Sequence, residues 1–393
     1  MLNAKWRNSV EDFEYYLDHC GYEKPEDHDP DLSEQAGGFY VFNGRLGRYN
    51  GPGGDVTVPE GFTEIRNGTF QNCDSVTGIT IPKSVTRIRP GALQDCVNLS
   101  EIRVDAGNRR YCVIDGLLLE RDGTVLHSCP PAKSGVLAIP EGVTEIAEHA
   151  FEFCSRLTGV IIPESVTRIG FHAFAFCSGL TGVTIPKHTA YIGEFAFDRC
   201  TNLSRIVVPK SVAEIADRAF AGCTALSEIQ VDAENPFYRV INGLLLNRDG
   251  SILYQCPPVT SGVLAIPEGV VKIAEGAFAN CSGLTGVIIP GSVRDIGEYA
   301  FWGCTGLTSV TIPEGVTWID VDAFAGCTGL TNAAVPKSVA YIGPGAFRDT
   351  GLAEETIRAA YDQAKETELA LEIEAELATD AEFTELMFLD DEE

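Results

Sequence analysis

An Ile-Pro or Val-Pro dipeptide recurs every 23 residues along most of this chain. Pro140, Pro163, Pro186 and Pro209 form one run, and Pro267, Pro290, Pro313 and Pro336 another, with Pro59 and Pro82 ahead of both. Cysteine keeps the same interval at Cys154, Cys177, Cys200 and Cys223, then at Cys281, Cys304 and Cys327. A phenylalanine stands three residues before each of these cysteines. A fixed interval in the low twenties marks a solenoid, in which each repeat is one turn of a coil and buries its core only against its neighbours. The fold class predicted is a repeat solenoid, mostly β with short helical turns and a parallel sheet.

One unit shows why. Thr158 to Ile162 is β-branched, alternates with period two and ends at Pro163, which predicts a short strand. Val160 and Ile162 should point inward, and Gly159 and Ile161 outward. Val166 and Ile169 suit a second short extended piece closed by Gly170. Ala173, Phe174 and Cys177 stand at helical spacing, which predicts one tight turn before the next strand at Leu180. Twelve strand positions can be counted this way, ending at Val58, Ile81, Val104, Ile139, Ile162, Ile185, Val208, Val231, Ile266, Ile289, Ile312 and Val335.

The interval breaks twice, each time by the same amount. Pro82 to Pro140 and Pro209 to Pro267 are both 58 residues apart. The strands ending at Val104 and Val231 are followed by Asp105 and Asp232 instead of proline. Each gap holds an insert, over about residues 106–135 and 233–262, with apolar runs around Asp122-Gly123 and Asp249-Gly250. That pattern predicts a β-hairpin in each. The inserts lie 127 residues apart, so the array has a longer repeat above the short one. Val41-Phe42-Asn43-Gly44-Arg45-Leu46 is a shorter relative and is expected to start the array.

The Ile-Pro, Val-x-x-Ile-Gly, Ala-Phe-x-x-Cys and Leu-x-x-Val positions, with Asp-Gly inserts followed by Cys-Pro-Pro, resemble the BspA-like leucine-rich repeat family. The resemblance covers about residues 39–352 and implies a curved solenoid with a parallel sheet. Some members of that family are microbial surface proteins that bind host or matrix proteins, so an adhesin is the alternative function it implies.

Charge is concentrated at the ends. The net charge is −27. Residues 1–36 hold ten acids and three bases, and residues 352–393 hold fifteen acids and two bases. Such a chain repels phosphate backbones and anionic membranes, so neither nucleic acid nor membrane insertion is expected. Residues 1–38 are predicted to be an acidic helix, Val10 to Cys20 behind Ser9, followed by a linker from Tyr22. Residues 353–393 are predicted to be a helical cap, with Ile357, Ala360, Tyr361 and Ala364 on its packing face, and a frayed acidic tail at Asp390 to Glu393. No apolar segment marks a signal peptide or a membrane span. The expected location is therefore cytoplasmic, or the cell surface if the chain is a processed fragment.

No catalytic motif emerges. Nine cysteines stand in register, Cys73 and Cys96 among them, but a row of parallel thiols does not converge on a metal, and they are expected to act as small hydrophobes. The lack of convincing cysteine pairs suits a reducing compartment. Cys112 and Cys129 are not expected to pair, because a turn at Asp122-Gly123 places Cys129 near Gly116. His149 and His172 share one repeat position and are expected on the solvent face, too few for a metal site. Glu141, Glu164, Glu268 and Glu314 follow turn prolines and are expected to be solvated. Neither cofactor nor metal is expected, and the chain is expected to be a monomer without enzymatic activity.

What remains is the outward strand face. One row on it includes Ile161, Thr184, Val207, Gln230, Ile288 and Thr311, and its neighbour row includes Val136, Arg205, Glu228 and Val263. Both rows are small, aliphatic and nearly uncharged, which hints at recognition. The expected function is a non-catalytic scaffold that engages a protein partner through Ile161, Thr184, Val207, Gln230, Ile288, Thr311, Arg205 and Glu228, or through the inserts.

Overall fold

The computed structural model describes residues 33–369, apart from 36–37, 43–44, 71 and 94–95. The helix expected at Val10 to Cys20, the linker up to residue 32 and the acidic tail lie outside the described residues. The chain is a β-solenoid. It divides into two compact units. The first ends at Leu203 and also takes in Ser211–Ala219, and the second is Ser204–Lys210 with the residues from Phe220 onward.

A typical coil has a long strand, a short strand and a turn corner; where a strand ending at Ile185 is expected, only a single bridge of Val183 with Val160 forms. In the first unit the long strands Gly54–Thr57, Val76–Ile81 and Glu101–Val104 pair in parallel. Gly135–Ala138 pairs separately with Leu157–Ile161. In the second unit Arg205–Val208 pairs with Glu228–Val231, and Gly262–Ala265, Leu284–Ile288, Ser309–Thr311 and Asn332–Ala334 form a parallel sheet of their own. The short strands stack in register, as Glu145–Ile146, Arg168–Ile169, Tyr191–Ile192 and Glu214–Ile215 do in the first unit. Alternation holds as predicted: Val160 is buried and Ile161 exposed. The solvated acids Glu141, Glu164, Glu268 and Glu314 are all exposed.

The turn corner explains the Ala-Phe-x-x-Cys register. The helical turn expected between Ala173 and Cys177 consists of linked tight turns. The N–H groups of Ala173, Ala175 and Cys177 bond inside the coil, to the carbonyls of Gly170, His172 and Phe174. The alternate N–H groups of His172, Phe174 and Phe176 bond instead to Glu194, Ala196 and Asp198 of the next coil, at 3.1, 2.7 and 2.7 Å. This alternation needs left-handed backbone at His172 (φ 52°) and Phe176 (φ 59°). Left-handed non-glycine residues cost about 1 kcal/mol or more each. Here every such residue on the corner is tied down by a bond to the adjacent coil.

That ladder holds the core rings one above another. Phe151 and Phe174 stack with centroids 4.8 Å apart and planes 10° from parallel. In the second unit Phe278–Phe301 and Phe301–Phe324 stack at 4.8 and 4.9 Å. The cysteines do more than fill space. Cys177 Sγ donates to the Phe151 carbonyl at 3.0 Å and Cys200 Sγ to the Phe174 carbonyl at 3.2 Å. Cys304 and Cys327 repeat the contact to Phe278 and Phe301 at 3.1 Å. A thiol is apolar enough for the core and still satisfies a buried carbonyl.

The inserts differ from expectation by one strand. Each is a three-stranded meander, not a two-stranded hairpin. Tyr111–Ile114 pairs with Leu117–Glu120, which pairs with Val125–Ser128. The extra turn is Asp115-Gly116, with φ 53° and 76°, a two-residue hairpin turn of the kind Asp-Gly favours. Asn242-Gly243 does the same in the second insert, at φ 52° and 81°. The third strand then joins the short-strand row, pairing in parallel with Glu145–Ile146. The first insert also covers the end of the preceding short-strand pair. Ile88 N–H donates to Tyr111 Oη at 2.8 Å, and His127 Nε2 lies 3.0 Å from the Ile88 carbonyl. An open sheet edge is thereby satisfied by side chains.

Both ends of the described array are closed. Ser33–Gln35, inside the segment expected to be linker, pairs with Phe39–Phe42, which pairs with Arg45–Tyr49. Phe39, Tyr49 and Phe70 form an aromatic cluster with centroids 4.8 to 5.8 Å apart. At the other end a helix over 354–369 buries Ala360 and Ala364 against the last coil, with Ile357 and Tyr361 packed beside them. Tyr361 Oη donates to the Gly343 carbonyl at 2.7 Å and accepts from Ala346 N–H at 3.2 Å. The same two groups bond each other within the corner at 3.2 Å, so the Tyr361 hydroxyl joins the turn that closes the last coil.

The stacked rings generate a direct expectation. Phe301→Ala removes a fully buried ring that touches a neighbour on both faces. It should lower stability by about 3–5 kcal/mol. Urea unfolding followed by far-UV circular dichroism measures this; a loss below about 1 kcal/mol would mean that the ring ladder does not hold the coils.

Candidate functional site

The outward strand face is not one even stripe. In the first unit Val136 is 67% and Ile161 60% exposed. Ala138 lies between them in the register, opposite Ile161. Gly159 faces Val136 across the strands and presents no side chain, and beyond it Gly182 opens onto empty space. Thr184 is exposed in the following coil. The result is a flat methyl-bearing patch without a charge. The second unit repeats it with Val263 at 68%, Ala265, Gly286, Ile288 at 60%, and Thr311 opposite Ile288.

Polar clusters occupy the same face elsewhere. Arg103 bridges Asp55 at 3.4 Å and also pairs with Glu101 in the first unit. In the second, Arg205 Nε lies 3.4 Å from Glu228 Oε2, Arg205 also bonds Gln230, and Gln230 Nε2 donates to Glu228. Of the residues singled out from the sequence, Ile161, Thr184, Ile288 and Thr311 sit on the apolar patches. Arg205, Glu228 and Gln230 are engaged with one another, and Val207 is half-buried among them. Val136 and Val263 belong with the patches and were not among the eight expected. Their signal was present in the repeated run Gly-Val-Leu-Ala-Ile-Pro, which begins at Gly135 and Gly262.

The two histidines overturn their prediction. His149 and His172 are 4% and 1% exposed, not solvated, and Glu152 between them is fully buried. The left-handed corner aligns one coil's ring over the next, so stacking hides the ring faces. His149 and His172 have centroids 5.3 Å apart, and Phe195 follows His172 at 5.0 Å. Arg218 lies over the Phe195 ring at 5.4 Å. Glu152 joins the pair: its carboxylate lies 2.8 Å from His149 Nδ1 and 3.5 Å from His172 Nδ1. Burial pulls the Glu152 carboxyl upward, but the charges and hydrogen bonds of His149 and His172 outweigh it and hold it at about 2. Asp198, also buried, is shifted upward by its burial, against the pull of Arg199 and His172. Among the described residues these three are the one group of histidine, cysteine and carboxylate side chains arranged to hold a metal ion.

The cysteines behave as predicted. Eleven of the twelve described are buried, and all twelve are free. Burial pushes the thiols of Cys154 and Cys177 far up, so they are protonated and are neither nucleophiles nor ligands. Cys256 is shifted down, by its hydrogen bond with Cys281. Cys112 lies opposite Leu119, and Ser128, next to Cys129, lies opposite Leu118, which keeps the two thiols apart.

Comparison with known proteins follows this geometry. The family model described as "BspA type Leucine rich repeat region" matches six copies, over residues 53–111, 128–238 and 250–367. The gaps between the matches contain the inner strands of the two inserts. Among solved structures, a leucine-rich repeat protein from Eubacterium ventriosum is 26% identical, with 77% of this chain and 66% of that chain covered and a TM-score of 0.44. A leucine rich cell surface protein from Faecalibacterium prausnitzii is 25% identical, with 85% and 98% covered and a TM-score of 0.47. A leucine-rich repeat protein from Bacteroides ovatus is 23% identical, with 83% and 81% covered and a TM-score of 0.40. No curated protein matches the chain. Among the described residues no helix is long and apolar enough to cross a membrane.

The buried carboxylate makes stability pH-dependent in a defined window. Unfolded, Glu152 titrates near its ordinary value of 4.5; folded, it does so at about 2. Its contribution is complete above the unfolded value and disappears as pH falls through the folded one. Glu152→Gln should therefore destabilise the chain by about 3 kcal/mol at neutral pH and by progressively less toward pH 2. Urea midpoints of both proteins across this range test it. A difference that stays constant with pH would show that the charge on Glu152 contributes nothing.

Proposed function

The chain belongs to the BspA-type leucine-rich repeat family, and from that premise we propose that it is a binding scaffold whose two apolar strand patches receive a protein partner. The observation that carries this reading is the pair of patches themselves. Val136 and Ile161 in one unit, and Val263 and Ile288 in the other, are aliphatic side chains 60–68% exposed on regular parallel strands. Solvated strand faces ordinarily carry polar side chains at such positions, and this chain places them there in the coils just outside the patches, as Asp55, Glu101, Arg103, Arg205, Glu228 and Gln230. Glycines beside the valines keep each patch flat, which suits another protein's surface better than a small molecule in a cleft.

The ion-paired clusters would form a polar surround that orients a partner without adding much affinity, since exposed pairs contribute little. The scaffold itself performs no chemistry in this reading. The cytoplasmic and surface-adhesin versions of it differ only in where the partner is met.

Exposed Ile161→Lys and Ile288→Lys leave the core untouched and place a charge at the centre of each patch. Affinity purification from the source cells, with the native and doubly substituted chains as baits, should show partners lost with the substitutions. A partner set unchanged by both substitutions would place binding elsewhere, with the exposed Phe237 and Ile114 of the inserts next in line.

A further inference from the structure

We propose that His149, Glu152 and His172 form a site for one divalent first-row transition-metal ion, with Zn2+ as the best-matched occupant. The three donors come from two adjacent coils and converge, with their ligand atoms within 4.8 Å of one another. The Glu152 carboxylate stands between the two imidazoles, 2.8 Å from His149 Nδ1 and 3.5 Å from His172 Nδ1. Two imidazole nitrogens and one carboxylate are a mixed nitrogen and oxygen set that suits zinc and its neighbours and is too nitrogen-rich for calcium or magnesium. Three protein donors leave a position for water. The ion would carry two positive charges against the one carboxylate of Glu152.

The repeat supplies an internal control. The same three positions 127 residues later hold Gly276, Ala279 and Tyr299. One coil on from His149 and Glu152 stand His172 and Ala175, and one coil on from His172 stands Phe195. The corner therefore folds with glycine, alanine or an aromatic ring there and has no need of ionisable groups. Burying two imidazoles and a carboxylate costs several kcal/mol unless each is compensated. These three residues meet one another across two coils, which is what a ligand set requires. A metal would take the place of a hydrogen on His149 Nδ1, with each imidazole binding through Nδ1 and keeping its proton on Nε2.

The test uses the full chain, reduced and freed of metal by a chelator. Calorimetric titration with Zn2+ should show one ion bound per chain, with a rise in melting temperature. Co2+ in its place should give visible d–d absorption without the intense near-ultraviolet band of a thiolate ligand, which separates this site from the cysteines. The triple substitution His149→Gly, Glu152→Ala and His172→Tyr transplants the residues of the corresponding coil and should abolish binding. Glu152→Gln alone changes no volume and should weaken binding by about 100-fold; it decides the matter if the triple variant does not fold. The proposal is overturned if the native chain takes up no metal at micromolar concentration, if a thiolate band accompanies Co2+, or if either variant binds as the native chain does.

Discussion

The structure rests on the way the turn corner shares out its backbone hydrogen bonds. Alternate N–H groups close the turn within a coil, and those between them reach the next coil, as His172, Phe174 and Phe176 do. That division demands left-handed residues two per corner, and it fixes the spacing of successive coils. Once the spacing is fixed, one phenylalanine must lie on the next and one thiol must meet the carbonyl of the preceding coil. Neither ladder is an independent source of order; both follow from the same backbone pattern. So does the need for a cap, since a last coil has no neighbour to receive its alternate N–H groups. The C-terminal helix packs there, and its Tyr361 hydroxyl joins the Ala346–Gly343 turn.

A corner that tolerates many residue types at a fixed backbone geometry is also a place where function can be written. The left-handed position holds glycine in some coils and His149, His172, Phe195, Arg218, Tyr299 or Asp322 in others. The strand face behaves likewise. Its inward residues are Val, Ile and Leu up to Ala333 in the last strand, while its outward residues change from ion-paired to aliphatic within a few coils. The inserts interrupt both rows of strands, and the third strand of each insert starts the short-strand sheet that follows it, as Val125–Ser128 does by pairing with Glu145–Ile146.

Most of the fold was legible because the interval repeats so often. Proline marked strand ends, and the Ala-Phe-x-x-Cys spacing marked the corner. What periodicity does not carry is the handedness of the backbone. Phe176 and His172 read as ordinary residues on a tight turn, and nothing in their identity announces positive φ. For that reason the histidines read as solvent-facing, and Glu152 stands at a repeat position that Ala175, Asp198, Ala221, Trp302 and Arg348 also fill, so its identity does not mark a buried pairing with histidine. The inserts failed differently. Asp122-Gly123 and Asp115-Gly116, seven residues apart, are equal turn signals, and the spacing of the apolar runs around them does not say that both turns are used. The outward face was legible in its alternation but not in its pairings. That Arg205 would be held by Glu228 and Gln230 depends on the parallel register between strands.

The central claim is that the coils are locked by a buried ladder whose thiols bond the neighbouring coil. Timed thiol labelling of the native chain, read cysteine by cysteine by mass spectrometry, addresses it most directly. Half-buried Cys112 should label early, while Cys177, Cys200, Cys304 and Cys327 should resist until denaturant unfolds the chain. Ladder thiols that react in the native state as quickly as Cys112 would contradict the account.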